Sequence, residues 1–94
     1  MKYTKTNIYF TTNGESTDKA TNRASSILDG VTLSKFIDAA ESQGKAIKED
    51  TYSLTLISVD PKEAEIKELA LYIKDVYKLP EIWVTQEIIT NTIY

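Results

Sequence analysis

The sequence predicts an α+β fold, a two-layer sandwich in which helices cover one face of a β-sheet. Three observations lead to this prediction. The second half of the chain places an amphipathic helix between two strand-like runs, and the first half repeats that order more faintly. A chain of 94 residues is long enough for one domain with a thin core, so we treat residues 1–94 as a single domain.

The clearest predicted element is a helix that begins near Asp60 and ends before Pro80. In Asp60-Pro61-Lys62-Glu63, the aspartate is a predicted N-cap and the proline suits the first helical position. Proline at position 80 cannot continue a helix. Apolar residues recur at helical spacing between these limits and define one stripe, formed by Ile66, Leu69, Ala70, Ile73, Val76 and Tyr77.

Strand-like runs flank this helix on both sides. Residues 52–58 and 82–88 alternate between two faces and are rich in β-branched and aromatic side chains. A strand, a capped helix and a second strand form a βαβ unit, whose two strands run parallel with a right-handed crossover.

The first half predicts a strand over residues 8–12 that ends at the turn signal Asn13-Gly14. The spacing of residues 33–40 predicts a helix from near Thr32 to Gly44, followed by a short strand over 46–48. The resulting order, β-α-β-β-α-β, is that of the ferredoxin-like split βαβ plait with both helices on one face. Residues 13–31 stay open: they suit either a short polar helix or a hairpin around Asp29-Gly30.

Composition excludes several kinds of chemistry. The chain has no histidine and no cysteine, so it lacks zinc sites of the Cys/His type, imidazole-dependent triads and thiol nucleophiles. The net charge is −3, and Arg23 is the one arginine among eleven basic residues, which disfavours base-specific DNA recognition. With no apolar run long enough for a membrane span and no signal-peptide pattern, we expect a cytoplasmic protein without a membrane association. The lysine-rich, arginine-poor composition suggests an AT-rich genome, such as that of a phage or mobile element.

Two residue groups superficially resemble catalytic sites. Asp60 with Glu65 and Lys67 has the residue types of a divalent-cation nuclease, but Glu65 and Lys67 project about 200° apart on a helix. Ser16 and Lys19 form a Ser-x-x-Lys tetrad in a polar segment with no apolar run to lower the lysine pKa. We therefore predict no enzymatic activity, no cofactor and no metal site.

The sheet face away from the helices is the more informative surface. If Ile8, Leu54 and Val84 face the helices, strand alternation sends Tyr9 and Trp83 to the opposite side. Three interpretations remain: a protein interface, in which tryptophan and tyrosine are enriched; a nucleic-acid surface; or a face covered by residues 13–31.

The C-terminal run 87–94 has high β-propensity, one charge and no breaker, so its edge suits pairing with another chain, including a second copy. The alternative is that residues 88–94 form an internal strand or pack as a tail across the core. The sequence thus predicts a small acidic protein-binding module, with a host protein as the partner of a phage or mobile-element accessory factor. Nucleic-acid binding is the alternative function. The predicted binding surface consists of Tyr9, Trp83, Thr85, Glu87, Ile89 and Tyr94.

Overall fold

The computed structural model describes residues 2–36 and 51–90. These residues form four strands and two helices in the order β-α-β-β-α-β. The elements are β1 (Lys2–Thr11), α1 (Asp18–Ile27), β2 (Thr32–Phe36), β3 (Thr51–Ser58), α2 (Glu63–Val76) and β4 (Trp83–Thr90). The α+β class predicted from the sequence is confirmed.

The four strands form one antiparallel sheet in the order β2-β3-β1-β4. β1 pairs with β3 from Thr4↔Ser58 to Thr11↔Thr51, and with β4 from Lys2↔Thr90 to Tyr9↔Trp83. Because β3 and β4 are both antiparallel to β1, they run parallel to each other on either side of it. β4 therefore forms one edge of the sheet described here.

The core lies between one face of this sheet and the two helices. Its sheet side consists of apolar residues at alternate positions of β1 and β3, and its helix side combines both helices. The buried members are Ile8, Phe10, Ala20, Ala24, Leu28, Leu54, Leu56, Ile66, Leu69, Ile73 and Tyr77. Four of the six residues in the predicted α2 stripe are buried within the helix, and Tyr77 is buried immediately after it.

The prediction of a helix beginning near Thr32 is wrong. Residues 32–36 form β2, which pairs antiparallel with β3 from Thr32↔Thr55 to Phe36↔Thr51. Leu33 and Phe36 have a spacing that suits a helix, but backbone pairing with a neighbouring strand overrides so short a pattern. The rest of the predicted helix, to Gly44, and the predicted strand 46–48 lie outside the described residues.

Of the two alternatives for residues 13–31, the short polar helix is confirmed. It is α1, which buries Ala20 and Ala24 against the core and leaves most of its other side chains in solvent. Asp29 and Gly30 lie in the bend between α1 and β2, where Gly30 adopts φ 74°, a value that favours glycine.

The predicted N-cap at Asp60 is also wrong. α2 begins at Glu63, and the residue before it, Lys62, has the left-handed conformation (φ 55°, ψ 38°) with no side-chain cap. The Asp60 backbone carbonyl accepts a hydrogen bond from the Ser58 hydroxyl. The residues from Ser58 to Lys62 thus form a tight connection, and the acidic side chains of Glu63 and Glu65 supply the negative charge that favours a helix N-terminus.

Candidate binding surface on the open sheet face

The two faces of the sheet differ as strand alternation predicts. Ile8 and Leu54 are buried against the helices, whereas Tyr9 between Ile8 and Phe10 belongs to the opposite side, which we call the open face. On this face β1 and β4 place their side chains in direct cross-strand pairs. The pairs are Tyr3↔Ile89, Lys5↔Glu87, Asn7↔Thr85 and Tyr9↔Trp83.

Trp83 is the most prominent apolar group on the open face. Its side chain is 64% exposed, and its indole N–H donates a hydrogen bond of 3.2 Å to the Glu81 carboxylate. The interpretation that residues 13–31 fold over this tryptophan is wrong, because α1 packs into the core on the other side of the sheet. Tyr9, its cross-strand partner, is half-buried.

Next to Tyr9 and Trp83 along β1 and β4, the open face carries polar and charged pairs. The Thr55 hydroxyl donates a 2.7 Å hydrogen bond to the Asn7 side-chain oxygen, which connects β3 to β1. The Lys5 ammonium lies 3.9 Å from the Glu87 carboxylate, so the opposite charges of β1 and β4 are adjacent. Both side chains are substantially exposed, and such a pair contributes little to stability but largely neutralises the local field.

The structure places the predicted binding residues as follows. Trp83, Thr85 and Glu87 are exposed, Tyr9 and Ile89 are half-buried, and all five share the open face. Tyr94 lies outside the described residues. Five of the six binding residues predicted from the sequence therefore lie on one surface, along β1 and β4.

Ser16 and Lys19, which superficially resembled a catalytic pair, take part in ordinary structural contacts. Ser16 accepts a 3.1 Å hydrogen bond from the Asp18 backbone N–H at the start of α1, and Lys19 forms a 3.5 Å ion pair with Glu15. Within residues 2–36 and 51–90, no cluster of three acidic side chains is placed to hold a metal ion.

The exposure of β4 on both faces is the feature that sequence reasoning missed. Ile88 is 75% exposed and Val84 is 39% exposed, although both point to the helix side of the sheet, in register with Thr4 and Ile8. Beside them, a groove of about 260 Å³ runs between α2 and β4. It is lined by Ile66, Ala70, Leu71, Val84 and Gln86, among others. Alternation predicts which face a side chain takes, but not that the strand lies at an edge.

Comparisons of the chain with protein-family models, with curated proteins and with solved structures gave no match. Neither α1 nor α2, the two helices in the described ranges, has the length and apolar character needed to span a bilayer. The geometry of the chain itself is therefore the basis for a functional proposal.

Proposed function

We propose that this chain is a non-enzymatic protein-binding module whose open face, along β1 and β4, is the contact surface. The observation that carries the proposal is the exposure of Trp83 beside Tyr9 at the edge of the sheet. Tryptophan and tyrosine dominate the energetics of protein interfaces, because each buries a large rigid area at low entropic cost. An indole that is 64% exposed in a domain of this size contributes little to the core and is available to a partner.

The charge pattern favours a protein over a nucleic acid as the partner. Binding to a phosphate backbone depends on free cations, and the Lys5 ammonium on the open face already lies 3.9 Å from Glu87. The net charge of −3 adds a repulsive term at long range. An electroneutral surface with an aromatic anchor is typical of the centre of a protein interface, where charged residues are depleted.

We also propose that the fold is the ferredoxin-like plait. The order β2-β3-β1-β4, the antiparallel pairing of neighbours and the position of both helices on one face support this assignment. Homodimerisation through the C-terminal strand edge is a separate proposal and is developed below.

The cellular setting is proposed from composition alone. Ten lysines against one arginine, and the absence of cysteine, suit a cytoplasmic phage or mobile-element factor from an AT-rich genome. In this setting the partner is a host protein.

The experiment uses the fact that Trp83 is the chain's single tryptophan. Tagged wild-type protein serves as the bait in host lysate, and each retained protein is then purified and titrated against the wild type and Trp83→Ala. Loss of one interface hot spot lowers affinity about 30-fold. Because Trp83 is exposed in the monomer, the same change should alter the free energy of unfolding of the monomer by less than about 0.5 kcal/mol.

Val59→Ala is the matched control, since Val59 is 64% exposed, like Trp83, but lies between β3 and α2, outside β1 and β4. It should leave partner affinity unchanged. In the wild type, partner binding should shift the Trp83 fluorescence to shorter wavelength. A partner that binds both variants equally, with no spectral change, would contradict the proposed surface. Tight binding to single- or double-stranded nucleic acid that weakens steeply with salt would support the alternative function.

A further inference from the structure

The geometry points to a second copy of this chain as the occupant of the β4 edge. We propose that two copies pair antiparallel through β4, about a twofold axis at Gln86, so that the four described strands of each copy join in one continuous sheet. β4 is eight residues long, pairs with β1 on one side and ends the described sheet on the other. Natural edges are usually protected by charge, proline or a bulge, because unpaired backbone groups template association. Glu87 is the single charged side chain in β4.

The register follows from the two faces of the strand. Both members of a cross-strand pair point to the same face of a sheet. Pairing that keeps the helix layers of the two copies on one side must therefore be centred on a residue rather than between two residues. This condition leaves only a few registers for an eight-residue strand.

Centring on Gln86 matches apolar with apolar on both faces. On the helix side, Val84 of one copy lies opposite Ile88 of the other. On the open face, Trp83 lies opposite Ile89, and Thr85 lies opposite Glu87. The twofold axis repeats every one of these pairs, and pairs of aromatic and β-branched residues are among the more stabilising cross-strand contacts.

Neighbouring registers are worse. Centring on Glu87 sets the carboxylates of Glu87 from the two copies against each other, which is destabilising. Centring on Thr85 sets Trp83 against Glu87 and confines the pairing to residues 83–87 of β4. The sequence of β4 is therefore complementary to itself in one register.

The groove between α2 and β4 supplies a second argument. It has a volume of about 260 Å³, and Val84 and Leu71 form part of its wall. In the proposed register, Ile88 of the second copy lies beside Val84, at the mouth of this groove. Ile88 is the most exposed large apolar residue described, at 75%, so the pairing would cover both the side chain and the groove.

The first test uses the absence of cysteine from the chain. A cysteine on the twofold axis lies opposite its own copy, and Cα separations in either kind of antiparallel pair permit a disulfide. Under copper-catalysed air oxidation, Gln86→Cys should form covalent dimers at least about tenfold faster than Ser34→Cys, because pairing raises the local thiol concentration. Ser34 is exposed on β2, at the other end of the described sheet, and serves as the control. Glu87→Cys tests the neighbouring register.

The second test uses charge at the same position. Gln86→Glu and Gln86→Lys should each be monomeric, and an equimolar mixture should recover the dimer, since the two new charges face each other. Because the Gln86 amide donates to the Thr6 hydroxyl at 3.1 Å, thermal melting must confirm that each variant is folded.

The two tests give different results for a β4-paired dimer and for a monomer. A dimeric wild-type mass in sedimentation, fast crosslinking at position 86 and recovery in the mixture together support the proposal. A monomeric wild type up to on the order of 100 μM overturns it, as does crosslinking that is faster at position 87 or equal to that of Ser34→Cys. Neither result depends on a different protein binding the open face, so failure here leaves the proposed function standing.

Discussion

Removing one hydroxyl group, in Tyr77→Phe, should destabilise this protein far more than a tyrosine-to-phenylalanine change normally does. Tyr77 follows α2 and is 1% exposed, and its ring stacks on Phe10 with centroids 5.9 Å apart. Its hydroxyl donates a 2.7 Å hydrogen bond to the Ser16 carbonyl and accepts one of 3.3 Å from the Ala20 backbone N–H. Ala20 is in the first turn of α1, so the side chain after α2 caps the other helix.

The magnitude follows from these two bonds. Each contributes about 1 kcal/mol, and the buried Ala20 N–H would lose its partner, so we expect a loss of about 2 to 3 kcal/mol in the free energy of unfolding. For a domain of this size, a loss of about 2 kcal/mol corresponds to a fall of about 8 to 16 °C in Tm. The phenylalanine ring keeps the stack on Phe10, so lost packing is not part of the effect.

Urea denaturation followed by circular dichroism measures the change, with an unchanged m-value as the check that both proteins unfold from comparable states. Tyr72→Phe is the matched control, because Tyr72 is half-buried on α2 and contacts Arg23 through its ring. We expect the control to stay within about 0.5 kcal/mol of the wild type. Equal losses in the two variants, or a loss in Tyr77→Phe below about 0.5 kcal/mol, would refute the capping role.

Three other predictions concern the same helix layer. Burial raises the pKa of Tyr77 above its ordinary value. The stability that this group contributes is therefore complete below about pH 10 and is lost as the pH rises through the folded pKa. Above about pH 10, the free energy of unfolding should fall less steeply with pH in Tyr77→Phe than in the wild type. Arg23→Ala should lower the free energy of unfolding by roughly 1 kcal/mol, because the guanidinium donates a 2.8 Å hydrogen bond to Glu68 and lies 5.3 Å from the centre of the Tyr72 ring; part of the loss should persist in 0.5 M salt, and a loss that salt removes entirely would assign it to charge alone. Lys62→Gly should raise the free energy of unfolding by up to about 1 kcal/mol, and with it Tm, because glycine adopts the left-handed φ of 55° before α2 without strain. A lower Tm would show that the lysine side chain has a stabilising role.

The parts of the fold that could be predicted are those in which one local pattern is strong. The stripe from Ile66 to Tyr77 repeats over three turns and predicts α2, and the alternation in residues 52–58 predicts β3. The pattern that predicts a helix over residues 33–40 spans about two turns, yet its described part, residues 33–36, lies in a strand that pairs with β3. Pairing with a strand distant in sequence decides such a segment, and no window of local sequence contains that information.

The start of α2 shows a different limit. Asp60-Pro61 has the residue types of a helix start, yet the helix begins two residues later than this pattern predicts, with Lys62 in a conformation that lysine rarely adopts. Residue preferences at helix ends are worth about 1 kcal/mol, so the geometry needed to connect β3 to α2 can override them.

The candidate surface could be predicted in part for the same reason. The two-residue period of a strand fixes which side chains share a face, and it correctly groups Tyr9 with Trp83. It does not distinguish a central strand from an edge strand, since β3 and β4 have similar residue types. Only the pairing order shows that Leu54 and Leu56 are buried between two neighbouring strands while Val84 and Ile88 lie at the edge.

That difference gives the exposed residues of β4 their significance. In a monomer, the apolar side chains of Val84, Ile88 and Trp83 contribute little to stability, because burial of apolar area is what stabilises a fold. An edge strand with one charge and apolar groups on both faces tends to pair with further chains and aggregate, unless the pairing stops at a fixed number of copies. A twofold axis at Gln86 limits the pairing to two copies, because the β4 edge of each copy pairs with that of the other and no third copy can add at β4. The same pairing would place Trp83 against Ile89 of the second copy, so a partner at the open face would meet a surface built from both copies.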